Sequence, residues 1–217
     1  MANIFPKWTN ALPIKLAGCL LVLAAGSVFG ITYYFTPKYT RVGYEPTQPV
    51  PFSHALHVQQ LGMDCRFCHG FVELAAHSNL PTTQSCMACH AQIRASSPKL
   101  APLRESWMTG EPVRWERIHQ APDFVYFNHA VHVNRGVSCV SCHGAVNEME
   151  AVYQAKPQSM SWCLDCHRAP ENFLRPPGAV YDMVWNPPAD AVQRTIGTNL
   201  KVEWEVNPPV TCGGCHR

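Results

Sequence analysis

The pentapeptide Cys-x-x-Cys-His occurs five times in this chain of 217 residues. Each copy places two thiols next to an imidazole, and this spacing is the attachment signature of c-type haem. The thiols can bond covalently to the porphyrin edge, and the adjacent His can then bind the iron as its proximal ligand. Because the five copies use ten of the eleven Cys, chance repetition is excluded. The predicted attachment residues are Cys65, Cys68, Cys86, Cys89, Cys139, Cys142, Cys163, Cys166, Cys212 and Cys215, and the predicted proximal ligands are His69, His90, His143, His167 and His216.

Two other chemistries use paired Cys, and neither explains the His after every pair. The pairs at 65–68 and 86–89 have the spacing of a zinc ribbon, but four thiolates already close a structural zinc site. A disulfide framework would suit an oxidising compartment, and it also gives those His no role. We therefore predict five covalently bound haem c groups.

The remaining His are candidates for the second axial position on each iron. The chain has eleven His, so six remain after the proximal ligands are assigned. Six candidates for five positions favour bis-His coordination of most or all haems, although Met is another common ligand. For each single Met we favour a packing role. The candidate distal ligands are His54, His57, His77, His119, His129 and His132.

An internal repeat organises most of these residues. Residues 52–90 and 127–167 each begin with Phe-x-His-x-x-His, continue to one Cys-x-x-Cys-His motif and end with another, whereas the motif at 212–216 stands outside the repeat. Two His three residues apart lie on the same face of a short helix, so they can serve two neighbouring haems. The repeat predicts haems packed closely enough for electron transfer.

Phe-x-His-x-x-His followed by Cys-x-x-Cys-His resembles the class III multihaem cytochromes. In that family the first His of the pair binds the haem of the next motif, and the second His binds a neighbouring haem. The resemblance implies the pairs His54–His69, His57–His90, His129–His143 and His132–His167. It leaves His216 with three candidate partners, which are His119, His77 and Met149.

The fold class follows from the Pro content and from the length of chain available to each motif. The 19 Pro are clustered, which favours turns and extended segments over regular structure. Too little chain surrounds each motif for a conventional apolar core, so we predict that the haems form the core. The expected fold is mostly irregular and α-helical, a class III-like multihaem domain with short helices. Residues 91–126 connect the repeat units, and residues 170–211 are expected to form a long irregular arm.

A run of twenty uncharged residues from Leu16 to Phe35 predicts a transmembrane helix. A helix of that length spans about 30 Å, which matches the hydrocarbon core of a bilayer. The run is too long for the apolar region of a cleaved signal peptide, and no clean cleavage site closes it. Lys15 and Lys38 flank the run, and Cys19 within it is expected to be an ordinary membrane-buried thiol.

Haem attachment sets the expected topology, because covalent haem c is made outside the bacterial cytoplasmic membrane. We predict a single-pass protein of that membrane with its haem domain on the periplasmic side. The expected segments are a cytoplasmic N-terminus at 1–15, a transmembrane helix at 16–36, a linker at 37–51 and a pentahaem domain at 52–217. The net charge of +2, with 15% charged residues, excludes a basic nucleic-acid footprint.

The order of features along the chain resembles the pentahaem subunit of bacterial Alternative Complex III. One N-terminal helix is followed by the entry segment 48–54, Gln-Pro-Val-Pro-Phe-Ser-His, and then by the five motifs. The resemblance implies a relay of electrons from quinol oxidation to a monohaem cytochrome or a soluble periplasmic carrier, in a respiratory or photosynthetic chain. It also implies an iron–sulfur subunit over the haem domain and multispanning membrane subunits beside the anchor helix.

Two other functions remain as alternatives. A stand-alone membrane-anchored multihaem quinol dehydrogenase would have the same anchor, although the short family of this kind is tetrahaem. A catalytic reductase, such as a nitrite reductase, would need an open axial position, and six spare His argue against such a vacancy. The relay is the favoured function, with no catalytic residue of its own.

Overall fold

A computed structural model describes residues 5–35, 41–185, 187 and 189–216 of the chain. The chain divides into two compact units, residues 1–42 and residues 43–217. The described residues contain helices and irregular connections but no β-strand, which confirms the predicted helical fold class. The α-helices are α1 Leu12–Phe35, α2 Cys65–Cys68, α3 Thr83–His90, α4 Ala101–Thr109, α5 His129–Val133, α6 Cys139–His143, α7 Met160–Arg168, α8 Asp190–Glu203 and α9 Cys212–Cys215. A π-helical turn spans Ala55–Gln60, and 3-10 turns span Lys7–Ala11, Pro98–Leu100, Val146–Glu148, Pro170–Asn172 and Pro177–Ala179.

Helix α1 forms most of the first unit. It begins at Leu12, earlier than the predicted start at 16, because Pro13 is compatible with the first helical turn and Lys15 continues the helix. Among the described residues, the segment Lys7–Tyr34 is the one helical segment long and apolar enough to cross a membrane, with a mean hydropathy of 2.1. Parts of the predicted segments lie outside the described residues, namely 1–4, 36–40, which includes Lys38, 186, 188 and 217.

Polar side chains cap the first turn of four helices in the second unit. The side chains of Asp64, Thr82, Asn128 and Ser159 each accept a backbone N–H from the first turn of the helix that follows. Such a cap satisfies a donor that the helix itself leaves unpaired. Three of the capped helices carry a Cys-x-x-Cys pair, and the fourth carries the His-x-x-His of the second repeat unit. Local sequence therefore helps to place these four helices, whereas α6 and α9 begin without a side-chain cap.

Residues 43–51 belong to the second unit, although the sequence analysis assigned them to the linker. The N–H of Gly43 donates to the carbonyl of Gln154 at 2.8 Å. The Gln48 side chain donates to the carbonyl of Glu116 and accepts from its N–H, at 2.9 and 3.0 Å. Val50 is only 3% exposed. The extended Pro-rich entry segment is thus packed against the haem-motif unit.

The prediction that residues 170–211 form an irregular arm is wrong for its second half, which contains the 14-residue helix α8. The Pro residues of the arm lie before Asp190 and after Val206, so the intervening segment is free to be helical. The Gln193 side chain donates to the carbonyl of Leu174 at 2.9 Å and joins α8 to the segment after α7. This contact stabilises a helix that the Pro-rich composition of the whole segment did not predict.

The conventional hydrophobic core of the second unit is small. Among its described residues, the one cluster of buried hydrophobic side chains consists of Val72, Val133 and Val180, with Tyr181 packed against it. Within the described residues, Leu174 and Ser138 are the largest side chains that are fully buried. A unit of this length usually buries far more apolar surface in its own side chains.

Candidate haem centres

Each Cys-x-x-Cys-His motif lies on a short helix or at its end. The five helices are α2, α3, α6, α7 and α9. Residues three apart on a helix are neighbours, so the two thiols of each pair lie on one side and the His follows them. This local geometry brings two sulfur atoms and one ring to the same edge in every motif.

Three of the five predicted proximal rings are oriented by hydrogen bonds to backbone carbonyls. The Nδ1 atoms of His69, His90 and His167 lie 2.8, 2.9 and 2.7 Å from the carbonyl oxygens of Asn79, Ile93 and Pro209. Because a carbonyl only accepts, each Nδ1 must carry the proton and donate. The other ring nitrogen, Nε2, then keeps a free lone pair that can bind a metal.

Three of the candidate distal rings are oriented in the same way. The Nδ1 atoms of His57, His129 and His132 donate to the carbonyl oxygens of Ser53, Ala76 and Asn128 at 2.8, 2.9 and 2.7 Å. Sequence analysis did not identify these carbonyl groups, since every residue has one and no residue type signals which will be used. In these six rings, three predicted as proximal and three as distal ligands, Nε2 is therefore the available nitrogen.

Three pairs of rings face each other at the separation that a shared metal requires. The ring centroids are 6.2 Å apart for His57–His90, 6.5 Å for His129–His143 and 6.2 Å for His132–His167. Two imidazole nitrogens, each about 2 Å from one metal on opposite sides, place their ring centroids roughly 6 Å apart. These are three of the four pairs that the class III resemblance implies. In the fourth, His69 lies near enough to lower the pKa of His54.

Burial keeps the key rings neutral, as metal binding requires. The pKa of His54 is lowered to about 4, mainly by burial and then by the neighbouring His69 and His57. The pKa of His143 is lowered to about 3, again mainly by burial. Among the described residues, His54 Nδ1 is one of the few buried side-chain atoms without a hydrogen-bond partner. A neutral, buried ring of this kind is well suited to coordinate iron.

The three candidate partners of His216 lie beside other groups. The Nε2 atom of His119 is 3.3 Å from Nδ1 of His143. His77 is exposed and lies near His129, where it contributes to lowering the pKa of that ring. Met149 is 5% exposed, and its backbone carbonyl accepts from the N–H of Ala55.

The fifth motif is held by the segment before the second repeat unit. The N–H of Tyr126 donates to the carbonyl of Cys215 at 2.8 Å, and Val125 forms an isolated bridge with His216. The ring of Phe124 lies 5.6 Å from the ring of His216. Sequence analysis treated this segment only as a connection between the repeat units.

The thiols of different motifs are neighbours in an order that differs from chain order. The thiols of Cys65 and Cys139, like the other neighbouring thiols, are close enough to alter each other's pKa. The neighbouring pairs are Cys86–Cys68, Cys65–Cys139, Cys142–Cys163 and Cys163–Cys215. The attachment sites therefore form one row, in the order 86–90, 65–69, 139–143, 163–167 and 212–216.

The side chains fit covalent haem better than zinc or disulfides. None of the eleven Cys is joined in a disulfide. Across the described ranges, no three His, Cys, Asp or Glu side chains converge as a direct metal site. Phe67, Phe71 and Phe124 are each more than half exposed near the motifs, as expected for apolar surface that a flat cofactor would cover.

Comparison with known proteins agrees with this chemistry. The chain is 38% identical over 97 residues to a protein of Nitratidesulfovibrio vulgaris named "Menaquinone reductase, multiheme cytochrome c subunit". That match covers 44% of this chain and 45% of the relative, so the chain spans less than half of the relative's length. Residues 50–104 and 125–217 match the family described as cytochrome c7 and related cytochrome c. The chain therefore belongs to this family, as a multihaem electron-transfer cytochrome with covalently bound haem c.

Proposed function

We propose that the chain is a membrane-anchored pentahaem relay within a quinol:acceptor oxidoreductase complex that resembles Alternative Complex III. The observation that carries this proposal is the single row of attachment thiols, in which each motif has a neighbour and none is isolated. A row suits transfer of electrons from one end of the unit to the other. The two ends of this row are the motifs at 86–90 and 212–216.

Haem c supplies a one-electron carrier at each motif when it is bound. The chain's own residues attach the group through paired thiols and orient Nε2 through the Nδ1 hydrogen bonds described above. Two facing His rings, such as His57 and His90, would hold the iron between them and would leave no open position for a small substrate. The facing rings therefore favour a relay over a catalytic reductase.

The proposed ligand set comprises the five motif His and at least four distal His. The ring separations support His57, His129 and His132, and the proximity of His69 supports His54. The candidates for the distal ligand of the fifth motif are His77, His119 and Met149.

The proposed location is the bacterial cytoplasmic membrane, with α1 as a single-pass anchor and the haem domain at 52–217 on the periplasmic side. The length and apolar composition of α1 support the anchor, and haem attachment supports the periplasmic side. The proposed neighbours are multispanning membrane subunits, an iron–sulfur subunit and a monohaem cytochrome c. The name of the relative supports assembly with a quinone-linked enzyme.

The relative's name also favours a second candidate, in which the same relay delivers electrons to a quinone. The two directions use the same row of sites and differ in donor and acceptor. The purified protein would be assayed in both directions. One assay supplies quinol and an oxidised periplasmic cytochrome, and the other supplies the reduced cytochrome and a quinone. Faster turnover in the first assay supports quinol oxidation, whereas faster turnover in the second supports quinone reduction.

The decisive experiment is purification from native membranes in mild detergent, followed by haem-stained gels and mass spectrometry of co-migrating proteins. We expect a large complex that contains an iron–sulfur subunit, multispanning subunits and a monohaem cytochrome. The mass of the haem-stained chain should correspond to five attached haems. Recovery of the chain alone, or as a small homo-oligomer that oxidises quinol, would instead support the stand-alone dehydrogenase.

A further inference from the structure

The ring of His143 differs from the other oriented rings in its hydrogen-bond partner. In the described part of the chain, six His rings donate Nδ1–H to a backbone carbonyl. The Nδ1 atom of His143 instead lies 3.3 Å from the Nε2 atom of His119. The two rings are nearly perpendicular, at 87°, with centroids 4.4 Å apart.

The chemistry of this contact assigns a role to each nitrogen. If His143 binds iron through Nε2, its Nδ1 keeps the proton and must donate it. His119 then accepts through the lone pair of its Nε2 and carries its own proton on Nδ1. A nitrogen whose lone pair accepts this hydrogen bond cannot also bind an iron atom. The centroid separation of 4.4 Å is also too short for two axial ligands of one metal, which need roughly 6 Å.

We propose that His119 is a positioning residue that accepts the Nδ1–H of His143 and holds this ring toward the iron of the third motif, and that it is not an axial ligand. This inference rests on the proposed attachment of haem at 139–143. An acceptor at Nδ1 increases the basicity of the ligand nitrogen, which stabilises oxidised iron. His119 therefore lowers the potential of the central site in the row.

The test uses two substitutions in the full-length chain purified with its haems. His119→Ala removes the acceptor, whereas the His119→Gln side chain can still supply an amide oxygen. We expect His119→Ala to raise the reduction potential of one haem by about 59 mV, which corresponds to a tenfold change in the equilibrium constant of a one-electron reduction. His119→Gln should stay closer to the wild-type potential. Gln120→Ala, at the exposed neighbouring position, serves as the control and should leave every potential unchanged.

Electron paramagnetic resonance distinguishes the two roles of His119. A positioning residue leaves all ferric haems low-spin in His119→Ala, with altered signals for one of them. A new high-spin ferric signal would show that His119 is an axial ligand and would overturn the proposal. Unchanged potentials and unchanged spectra in His119→Ala would overturn it as well.

If the variants cannot be produced in folded form, the same inference can be tested on the wild-type protein. Nitrogen-15 NMR of His-labelled, fully reduced protein would show His119 as a neutral ring protonated on Nδ1 and not bound to iron. An iron-bound or Nε2-protonated His119 would contradict the inference. Mass spectrometry of the same sample tests the proposed function separately, because loss of covalent haem at Cys139 and Cys142 would refute the attachment itself.

Discussion

Substituting Gly197 with Ala should destabilise the second unit, because this glycine lies where α8 meets the turn Pro170–Asn172. A Cβ added at Gly197 would overlap the carbonyl oxygen of Glu171, and it would lie 2.6 Å from the carbonyl carbon and 2.8 Å from the Cα of that residue. These are backbone atoms, so no side-chain rotation can relieve the overlap. Helix α8 would have to move away from the turn.

The expected size of the effect combines three contributions. Overpacking against a backbone costs about 1–3 kcal/mol, and the severe overlap at Glu171 puts this site near the upper end. Moving α8 would also weaken the 2.9 Å hydrogen bond from Gln193 to the carbonyl of Leu174, a contact worth about 1 kcal/mol. Ala is a better helix former than Gly and offsets about 1 kcal/mol of this loss. The net decrease in unfolding free energy is therefore about 2–3 kcal/mol.

Guanidinium unfolding followed by far-ultraviolet circular dichroism would measure this decrease. Thr198→Ala, at an exposed position of the same helix, is the matched control and should change the unfolding free energy by less than about 0.5 kcal/mol. If Gly197→Ala unfolded at the same or a higher guanidinium concentration than the wild type, the packing of α8 against Glu171 would be refuted.

Three further predictions concern one axial ligand, one ion pair and one tight turn. His57→Met should retain covalent haem and raise one potential, because a thioether favours reduced iron; a redox titration with all potentials unchanged would contradict the ligand assignment. The Lys201 ammonium holds the pKa of the Glu171 carboxyl below its usual value. This ion pair therefore stabilises the fold at pH values above the usual pKa of Glu, and its contribution is lost as the pH falls through the lowered pKa. Glu171→Gln should therefore reduce stability at neutral pH by less than about 1 kcal/mol and make little difference near pH 3, which thermal unfolding at both pH values would check. Gly136→Ala should destabilise by about 2 kcal/mol or more in guanidinium unfolding, since Gly136 has φ +83° and its added Cβ would lie 2.5 Å from the Arg175 carbonyl; an unchanged midpoint would contradict the close approach.

Features encoded within a few residues could be predicted well from the sequence. The two thiols and the ring of Cys-x-x-Cys-His are neighbours along the chain, so the family and its covalent haem follow without any tertiary information. The apolar run that forms most of α1 is similarly local, since length and composition alone indicate a helix able to cross a membrane. Helix caps such as Asp64 and Ser159 are also local, because each side chain accepts a backbone N–H from the first turn that follows it.

Helix α8 and the packed entry segment show where prediction from sequence fails. The Pro-rich composition of 170–211 suggested an irregular arm, yet the Pro-free segment at its centre folds because Gly197 can approach the backbone of Glu171 closely. Residues 43–51 looked like a linker, and contacts such as Gln48 with Glu116 attach them to the haem-motif unit. In both cases the deciding partner is distant along the chain.

The sequence by itself predicts which atoms attach the haems and which rings can serve as ligands, because those are properties of residue type and short spacing. Only the tertiary structure decided which carbonyl orients each ring, since a carbonyl such as that of Pro209, which accepts from His167, is the same in every residue. It also decided that the site at 65–69 lies between those at 86–90 and 139–143, through the contact of Cys65 with Cys139. The order of the row depends on contacts between residues far apart in the chain, and motif spacing carries no information about them.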